Sequence, residues 1–188
     1  MTRKDIEVEE LLQRYADGER DFPNVWLSDW GYNLLHGCNL SEINLSGSRI
    51  GAYLADANLS RANLSGVSMP QTTFDRANLN NINLSKAILW QSCFIDANLS
   101  NADLSGADLG MVGFQGANLR FANLSKAKLD SVAFDSADLT GADLSNTVIS
   151  GSLWKTNLTG ANLEGTEFKE IIIHETVPPD GSIWNEDR

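Results

Sequence analysis

The chain has 188 residues, 42% of them hydrophobic and 21% charged, with a formal net charge of −11 at pH 7. This length supports one domain with its own core, and the acidic balance argues against direct binding to nucleic-acid phosphates. The two cysteines, Cys38 and Cys93, are expected to be free thiols. No apolar run approaches the ~18 residues that a membrane span needs, and the N-terminus has no apolar signal region. We therefore expect a cytoplasmic protein that does not interact with membranes.

The first predicted element is an amphipathic helix over residues 4–17, and Gly18 is placed to end it. The apolar residues available for one face of this helix are Ile6, Leu11, Leu12 and Tyr15. An open coil of the kind predicted below exposes apolar side chains and unpaired backbone groups at its end. We therefore expect residues 1–29 to form an N-terminal capping helix and its lead-in.

A five-residue repeat dominates the chain after this segment. From Leu54 to Ile149 every fifth residue is large and apolar, at twenty positions out of twenty. The residue two places earlier is small, and it is Ala at thirteen of those twenty positions. In an α-helix, five residues rotate by ~500°, so apolar residues five apart would spiral around every face. In a straight strand, side chains alternate between the two faces, so an odd period would put successive apolar residues on opposite faces. Only a chain that turns a corner every five residues buries both positions on one side.

The number of corners in each coil follows from the phenylalanines. These recur every twenty residues, at Phe74, Phe94, Phe114 and Phe134, and Trp154 falls on the same period. Four five-residue units therefore make one coil, and the phenylalanines are predicted to stack in a single interior column. The ladder of large apolar residues also includes Trp30, Leu35, Leu40, Leu45, Leu163 and Phe168. This predicts a repeat body over residues 30–168 with about seven coils, stacked at the spacing of neighbouring strands.

The five-residue frame slips by one residue at two places. One four-residue unit separates Ile50 from Leu54, and a second is predicted between Trp154 and Leu158. Because the apolar ladder continues on both sides of each slip, we expect the coil to continue through them.

Residues 169–188 are predicted to form a C-terminal cap or tail. Within it, residues 171–173 favour a short strand and residues 178–181, with two prolines and a glycine, favour a turn. Ile183 and Trp184 are expected to fold back on the last coil.

Several units match the signature of a known family. They are Ala-Asn-Leu-Ser-Arg at 57–61, Ala-Asp-Leu-Ser-Gly at 102–106 and Ala-Asp-Leu-Thr-Gly at 137–141. These units resemble the A(D/N)LXX pattern of the pentapeptide-repeat family, and the resemblance covers about residues 30–168. It implies an all-β fold, a right-handed quadrilateral parallel β-helix, in agreement with the five-by-four pattern. Residues 10–22 and 179–183 resemble stand-alone members that are common in cyanobacteria.

Family membership predicts the fold better than it predicts the function. The pattern fills the interior with Leu, Phe and Ala and so leaves no cavity where catalytic groups converge. We therefore expect a non-catalytic protein without cofactor or metal, a monomer that acts as an interaction module or scaffold for an unknown protein partner.

A DNA-mimic inhibitor or protector of DNA gyrase is the alternative, because relatives in the family include quinolone-resistance proteins that protect gyrase and resemble B-DNA in shape and charge. Residues 30–168 contain twelve acidic and eight basic side chains, a net charge of only −4. Phosphate mimicry requires a dense acidic stripe, which lysines and arginines interrupt here.

In one region of the repeat body, outward positions that are usually polar hold apolar or small residues instead. Trp90 lies between Pro70 and Gly110 of the neighbouring coils, and the position before each phenylalanine lacks the usual Asn or Asp. Aromatic anchors beside small residues are typical of protein interfaces. We therefore predict a protein-binding strip formed by Ile88, Trp90, Cys93, Ile95, Gly110, Met111 and Gly113. The alternative is neutral drift on a tolerant scaffold, with Trp90 packing along its own coil.

Overall fold

The structure is a computed structural model that describes residues 4–28 and 33–185. Parallel backbone bridges join each side of a coil to the residue about twenty positions later, as in Asn58 to Asn78 and Asn78 to Asn98. These bridges form four ladders that run along the coil axis. The protein is therefore a β-helix in which each coil has four sides, as the repeat predicts.

A few segments are regular enough to form named elements. They are β1 (Lys4–Asp5), α1 (Val8–Ala16), β2 (Val25–Ser28), β3 (Arg49–Gly51), β4 (Lys128–Ala133), β5 (Val148–Ser152) and β6 (Glu167–Ile172). The strands β1, β2 and β3 are successive parallel neighbours, and so are β4, β5 and β6. The strand predicted at 171–173 overlaps the end of the longer β6, which stops at Ile172. Elsewhere the sides of the coils are isolated bridges.

Most corners depend on one residue with left-handed backbone, two positions after the buried large apolar residue. Examples are Asn81 with φ 58°, Gln91 with φ 57° and Gly106 with φ 64°. The next N–H closes the turn, as when Ala77 donates to the Phe74 carbonyl oxygen at 3.0 Å. One positive φ at the third of four residues is the pattern of a type II turn. Gly and Asn tolerate this conformation best, which explains why they are common there.

The interior confirms the predicted column of phenylalanines. Phe74, Phe94, Phe114 and Phe134 are fully buried. Their ring centroids lie 4.6 to 5.1 Å apart, with the planes within 20° of parallel. Leu35, Leu40 and Leu45 are buried too, whereas Trp30 lies outside the described residues. The slip between Ile50 and Leu54 is confirmed, because both side chains are buried in spite of the shorter interval.

The prediction that Trp154 continues the phenylalanine column is wrong. Leu153 is fully buried instead, and the Trp154 side chain is 43% exposed. The short unit therefore follows Ile149 rather than Trp154. Gly151 permits this, because its φ is +116° and a Cβ there would lie 2.1 Å from the Val132 carbonyl oxygen. Either frame buries a large apolar side chain, so the period alone does not decide between them.

The N-terminal helix is shorter than the predicted 4–17. Residues before α1 are extended as β1, and Ile6 donates its N–H to the Trp26 carbonyl oxygen at 3.2 Å. This pairing extends the β-helix by one further strand and leaves only nine residues for the helix. The predicted stop is confirmed at Gly18, which follows the helix with φ +99°.

Helix α1 packs against the first coils. Val8 and Leu11 are buried, and the Tyr15 hydroxyl donates to the Ser41 carbonyl oxygen at 2.9 Å. The segment after the helix joins the ladder, because Asp21 bridges to Asn44. The helix and the lead-in thus lie directly on the start of the repeat.

The C-terminal segment folds back after β6. The predicted turn at 178–181 is confirmed by a 2.9 Å hydrogen bond between its first and last residues. Trp184 folds back as predicted, exchanging backbone hydrogen bonds with Thr176 and placing its ring edge-on to Phe168 at 6.0 Å. Ile183 does not pack there, since its side chain is 63% exposed.

Candidate functional site

The outward column on each side of the coil gives the four faces different chemistry. Two sides, called the amide faces here, run through Asn58, Asn78 and Asn98 and through Asn63, Asn83 and Asp103. A third, the Ile88 face, runs through Ser68, Ile88, Asp108 and Lys128. The fourth, the Phe face, covers the phenylalanine column and runs through Tyr53, Thr73, Cys93, Gly113, Ala133, Ser152 and Ile172.

Side-chain hydrogen bonds run along the amide faces from coil to coil. Asn78 donates to Asn58 at 3.0 Å, and Asn118 donates to Asn98 at 3.2 Å. The same side-chain oxygen also accepts a backbone N–H two residues later, as Asn98 does from Ser100 at 3.2 Å. These side chains therefore stack along the coil axis and bond to nearby backbone. Their polar groups are largely satisfied within the protein.

The Phe face is built differently. Between Tyr53 and Ile172, which are 44% and 56% exposed, its central column holds only small side chains. Thr73, Cys93 and Ala133 are half-buried. Within residues 4–28 and 33–185, no side-chain amide ladder follows this column. The face is therefore a low floor of small residues with a large apolar side chain at each end.

One margin of the Phe face is a short ladder of flexible side chains at the corner shared with the Ile88 face. The Gln71 amide donates to the Gln91 side-chain oxygen at 2.9 Å. The Gln91 amide in turn lies 3.5 Å from the Met111 sulfur. Met111 is 62% exposed and has φ 57°, a conformation that costs a residue with a Cβ roughly 1–2 kcal/mol.

The other margin carries both acidic and apolar side chains. Asp75 accepts the Ile95 N–H at 3.0 Å, and Asp135 accepts the Trp154 N–H at 3.2 Å. Each carboxylate is thus fixed against the next coil. Ile95 and Trp154 are 38% and 43% exposed, so this margin offers apolar surface as well as charge.

Gln115 belongs to this second margin, between Ile95 and Asp135, and its side chain reaches over the floor. Its side-chain oxygen is only 2.7 Å from the position that a Cβ on Gly113 would take. That oxygen is buried and has no hydrogen-bond partner among the described residues. A buried acceptor without a partner costs about 1–3 kcal/mol, so the Gln115 amide is poorly satisfied where it lies.

Exposed large apolar side chains concentrate on two adjacent faces. Nine of the eleven in the described residues belong to the Ile88 face, the Phe face or their margins: Trp26, Tyr53, Ile88, Trp90, Ile95, Met111, Val148, Trp154 and Ile172. Phe121 lies at the corner between the amide faces, and Ile183 lies in the tail. Scattered exposed apolar residues are ordinary, but a grouping on neighbouring faces marks a candidate interaction surface.

The residues of the predicted strip all map to these two faces and their margins. Ile88, Trp90, Ile95 and Met111 are exposed, whereas Cys93, Gly110 and Gly113 are half-buried. Cys93 and Gly113 are bridge partners, and Gln91 donates its N–H to the Gly110 carbonyl oxygen at 2.8 Å.

Sequence reasoning missed three apolar residues of the Phe face and its margin. Tyr53 and Ile172 hold the outward position directly before a buried residue, so the repeat frame was sufficient to find them. Trp154 was missed because the frame slip was misplaced by one unit.

Partial burial, and then the Asp75 carboxylate, raise the pKa of the Cys93 thiol. The sulfur is therefore protonated at neutral pH, and it contributes to the floor as a small, weakly polar group.

Charge around the Phe face is only partly compensated. The Asp56 and Arg76 side chains pair at 2.7 Å, and the hydrogen bond from Arg76 outweighs desolvation and lowers the pKa of Asp56. Lys155 pairs with Glu175 at 3.6 Å. Lys169, at the first margin, pairs with Glu167 at 3.1 Å. Within the described part of the chain, no ion pair reaches the other carboxylates near the two margins, those of Asp75, Asp96, Asp130, Asp135 and Glu170.

Two further findings concern the described residues. In residues 4–28 and 33–185, no group of three or more His, Cys, Asp or Glu side chains is arranged to hold a metal ion. Over the same ranges, no helix has the length and apolar character needed to cross a membrane.

Comparison with known proteins identifies the repeat. The family model for pentapeptide repeats matches eight copies, at residues 52–91, 92–110 and 114–151, which together exceed half of the chain. No protein of curated function matches the sequence.

Solved structures of pentapeptide-repeat proteins also match. HetL from Nostoc sp. strain PCC 7120, involved in heterocyst differentiation regulation, is 28% identical, with 95% of this chain and all of HetL covered, at a TM-score of 0.38. A trypsin-treated variant of QnrB1, a plasmid-mediated fluoroquinolone resistance protein, is 19% identical, with 93% and 73% covered, at a TM-score of 0.49. The protein alr5209 from Nostoc PCC 7120 is 22% identical, with 90% and 100% covered, at a TM-score of 0.22.

Proposed function

The chain belongs to the pentapeptide-repeat family, whose fold is a right-handed β-helix, and from that premise we propose that it is a non-catalytic protein-binding module. The binding surface is the Phe face together with the adjoining part of the Ile88 face. The observation that carries this proposal is the unequal distribution of exposed apolar side chains. Nine lie on these two faces or their margins, and one lies between the amide faces.

The local packing supports the same surface. Trp90 is 40% exposed beside Pro70 and Gly110, which are too small to cover its ring. Large aromatic side chains in such settings supply much of the binding energy of protein interfaces. On the amide faces, by contrast, the outward groups already bond to one another.

We also propose an organisation for the chain. Residues 1–29 form the N-terminal cap, residues 30–168 the quadrilateral repeat body of about seven coils, and residues 169–188 the C-terminal cap. The proposed protein is a cytoplasmic monomer that acts without cofactor, nucleic acid or membrane. The packing of α1 on the first coils and of Trp184 on Phe168 supports the two caps.

A gyrase-directed DNA mimic has less support. Several acidic side chains on the coils pair with a basic one: Asp56 with Arg76, Asp108 with Lys128 and Asp138 with Arg120. Such pairs break up the continuous negative potential that imitates a phosphate backbone. A gyrase supercoiling assay with a fluoroquinolone tests this alternative, and protection of the enzyme at stoichiometric concentrations would favour it.

The test of the binding module is a quantitative affinity purification from cells of the source organism. It compares the wild type with Trp90→Ala and with Phe121→Ala, a matched control at an exposed aromatic residue on the opposite corner. Loss of a buried aromatic anchor costs ≥ ~2 kcal/mol, or about 30-fold in affinity. We expect a co-purifying protein to be depleted with Trp90→Ala and retained with Phe121→Ala. Equal recovery with all three baits would overturn the proposal.

A further inference from the structure

We propose that the Phe face binds one amphipathic, basic α-helix of a partner protein, lying along the coil axis. This inference rests on the proposed function above and specifies the kind of partner. It follows from the dimensions of the face, from its distribution of apolar side chains and from its charge.

The width of the Phe face fits a helix better than a strand. The backbone from the Gln91 margin to the Ile95 margin covers four residue steps, or about 13 Å at ~3.3 Å per residue. A helix with its side chains is ~10–12 Å across. A single extended strand occupies only ~4.8 Å, so it would leave most of the floor uncovered.

The length of the floor sets the length of the bound helix. Tyr53 and Ile172 are separated by six steps in the bridge ladder, or about 29 Å at ~4.8 Å per step. A helix of about 19 residues spans this distance at ~1.5 Å per residue. The small side chains between the two ends let a helix approach the sheet closely, and Tyr53 and Ile172 contact it near its ends.

Apolar contacts are available on both sides of such a helix. Met111 projects from one margin, and Ile95 and Trp154 project from the other. An apolar stripe at helical spacing, i, i+3, i+4 and i+7, is the usual way a helix occupies such a surface. The stripe would cover the floor and touch both margins.

Charge at the margins specifies the flanks of the helix. Seven carboxylates lie beside the floor, those of Asp56, Asp75, Asp96, Asp130, Asp135, Glu170 and Glu175. Three bases lie there too, Arg76, Lys155 and Lys169, and each is already paired with an acid, Asp56, Glu175 and Glu167 respectively. The surroundings of the floor therefore carry a net charge of −4, with acids on both margins. Lys and Arg on either side of the apolar stripe would meet complementary charge.

Gln115 gives the floor a means of adjusting to the ligand. Its buried oxygen has no partner among the described residues and lies against Gly113, the residue with the smallest side chain in the floor. Rotation of this flexible side chain towards solvent clears the floor for a helix and lets the oxygen accept a hydrogen bond. A Lys or Arg of the helix is a suitable donor.

Titration calorimetry with a synthetic 19-residue Leu/Lys peptide tests this proposal. The helical probe places Leu at i, i+3, i+4 and i+7, and two control peptides use the same composition, one scrambled and one with strictly alternating Leu and Lys. We expect the helical probe to bind at least ten times more tightly than either control at 150 mM salt. Tighter binding of the alternating peptide would overturn the helical assignment. Equal binding of all three peptides would overturn it too, because the attraction would then depend on net charge only.

Two protein variants locate the binding site. The double variant Cys93→Asn, Ala133→Asn places on the Phe face the residue type that the amide faces carry at the same coil position. The control Phe121→Asn makes the opposite corner more polar. We expect the double variant to lose at least tenfold in affinity for the helical probe and the control to match the wild type. Unchanged binding by the double variant, with the fold verified by circular dichroism, would overturn the proposal.

The result is separable from the proposed function. If the purification finds a partner sensitive to Trp90→Ala but the probe does not bind, the binding module stands and the helical occupant is wrong. If neither the probe nor a cellular partner depends on these faces, both proposals are wrong.

Discussion

The amide faces and the Phe face share one backbone and differ in how they are stabilised. On the amide faces, side chains such as Asn78 and Asn98 bond from coil to coil and to the following turn. On the Phe face the outer column is small, and the stabilising contacts lie inside, where the phenylalanine rings stack. The comparison teaches that a regular coil needs its outer ladder on only some of its sides. A face held from within is free to evolve an outer surface for another purpose.

The strongest test of this contrast removes an inner ring. Phe114→Ala deletes the side chain that stacks on both Phe94 and Phe134, and large-to-small changes of buried aromatic residues cost about 3–5 kcal/mol. We expect a loss of that size in the free energy of unfolding, measured by urea denaturation. A loss below about 1 kcal/mol, with unchanged cooperativity, would mean that the ring column does not hold the Phe face.

A second test compares the outer columns of the two kinds of face. Asn98→Ala removes hydrogen bonds to Asn78, Asn118 and the Ser100 N–H, and we expect it to cost about 1–2 kcal/mol. Cys93→Ala, on the Phe face in the same coil, is expected to change stability by no more than about 0.5 kcal/mol. Urea denaturation of both variants measures the difference. Equal effects would contradict the claim that only the amide faces depend on their outer side chains.

The corner at Met111, on the margin of the Phe face, offers a substitution that is expected to stabilise the fold. Because Met111 holds φ 57°, Met111→Asn is expected to raise the free energy of unfolding by about 0.5–1 kcal/mol, since Asn tolerates the left-handed region. Met111→Ile places a β-branched residue there and should lower stability. The melting temperatures of the two variants would therefore shift in opposite directions. A drop for both would show that the Met111 side chain contributes more by packing than its backbone costs.

The smallest expected effect concerns acid stability on an amide face. Desolvation acts to raise the pKa of Asp138, but hydrogen bonds from Thr140 and Arg120 outweigh it, so the pKa is lowered in the folded protein. A carboxyl with a lowered folded pKa stabilises the fold above its unfolded value, ~3.9, and this contribution is lost as the pH falls through the folded pKa. We expect Asp138→Asn to lose less stability than the wild type between pH 7 and pH 3. Parallel urea titrations at the two pH values provide the measurement, and identical acid sensitivity would contradict the assigned role of Asp138.

The sequence was sufficient to predict most of the fold, because one strict period determines which side chains are inside. The phenylalanine column, the four-sided coil and the first frame slip all follow from that period. The misplacement of Trp154 shows its limit, since Leu153 satisfies the same pattern and Gly151 permits the frame that the structure adopts. The N-terminal helix was overextended because the pairing of Ile6 with Trp26 is a tertiary contact that local periodicity does not encode.

The candidate site was only partly predictable. The repeat frame identifies outward residues, so Ile88, Trp90, Ile95 and Met111 are found from sequence. The twenty-residue period aligns Gln71, Gln91 and Met111, but the hydrogen bonds between their side chains and the position of Gln115 over Gly113 depend on rotamer geometry. No spacing rule predicts these rotamers.

The most direct test of the central claim is photo-cross-linking from one residue on each kind of face. In a background of Cys38→Ala and Cys93→Ala, one protein carries Gln91→Cys and presents a benzophenone at the exposed margin of the Phe face, beside the floor rather than on it. The paired protein carries Asn98→Cys and presents the same group on an amide face of the same coil. Irradiation in lysate of the source organism is predicted to yield a discrete cross-linked partner from position 91 and none from position 98. The same partner captured equally from both positions, or from position 98 alone, would contradict the account.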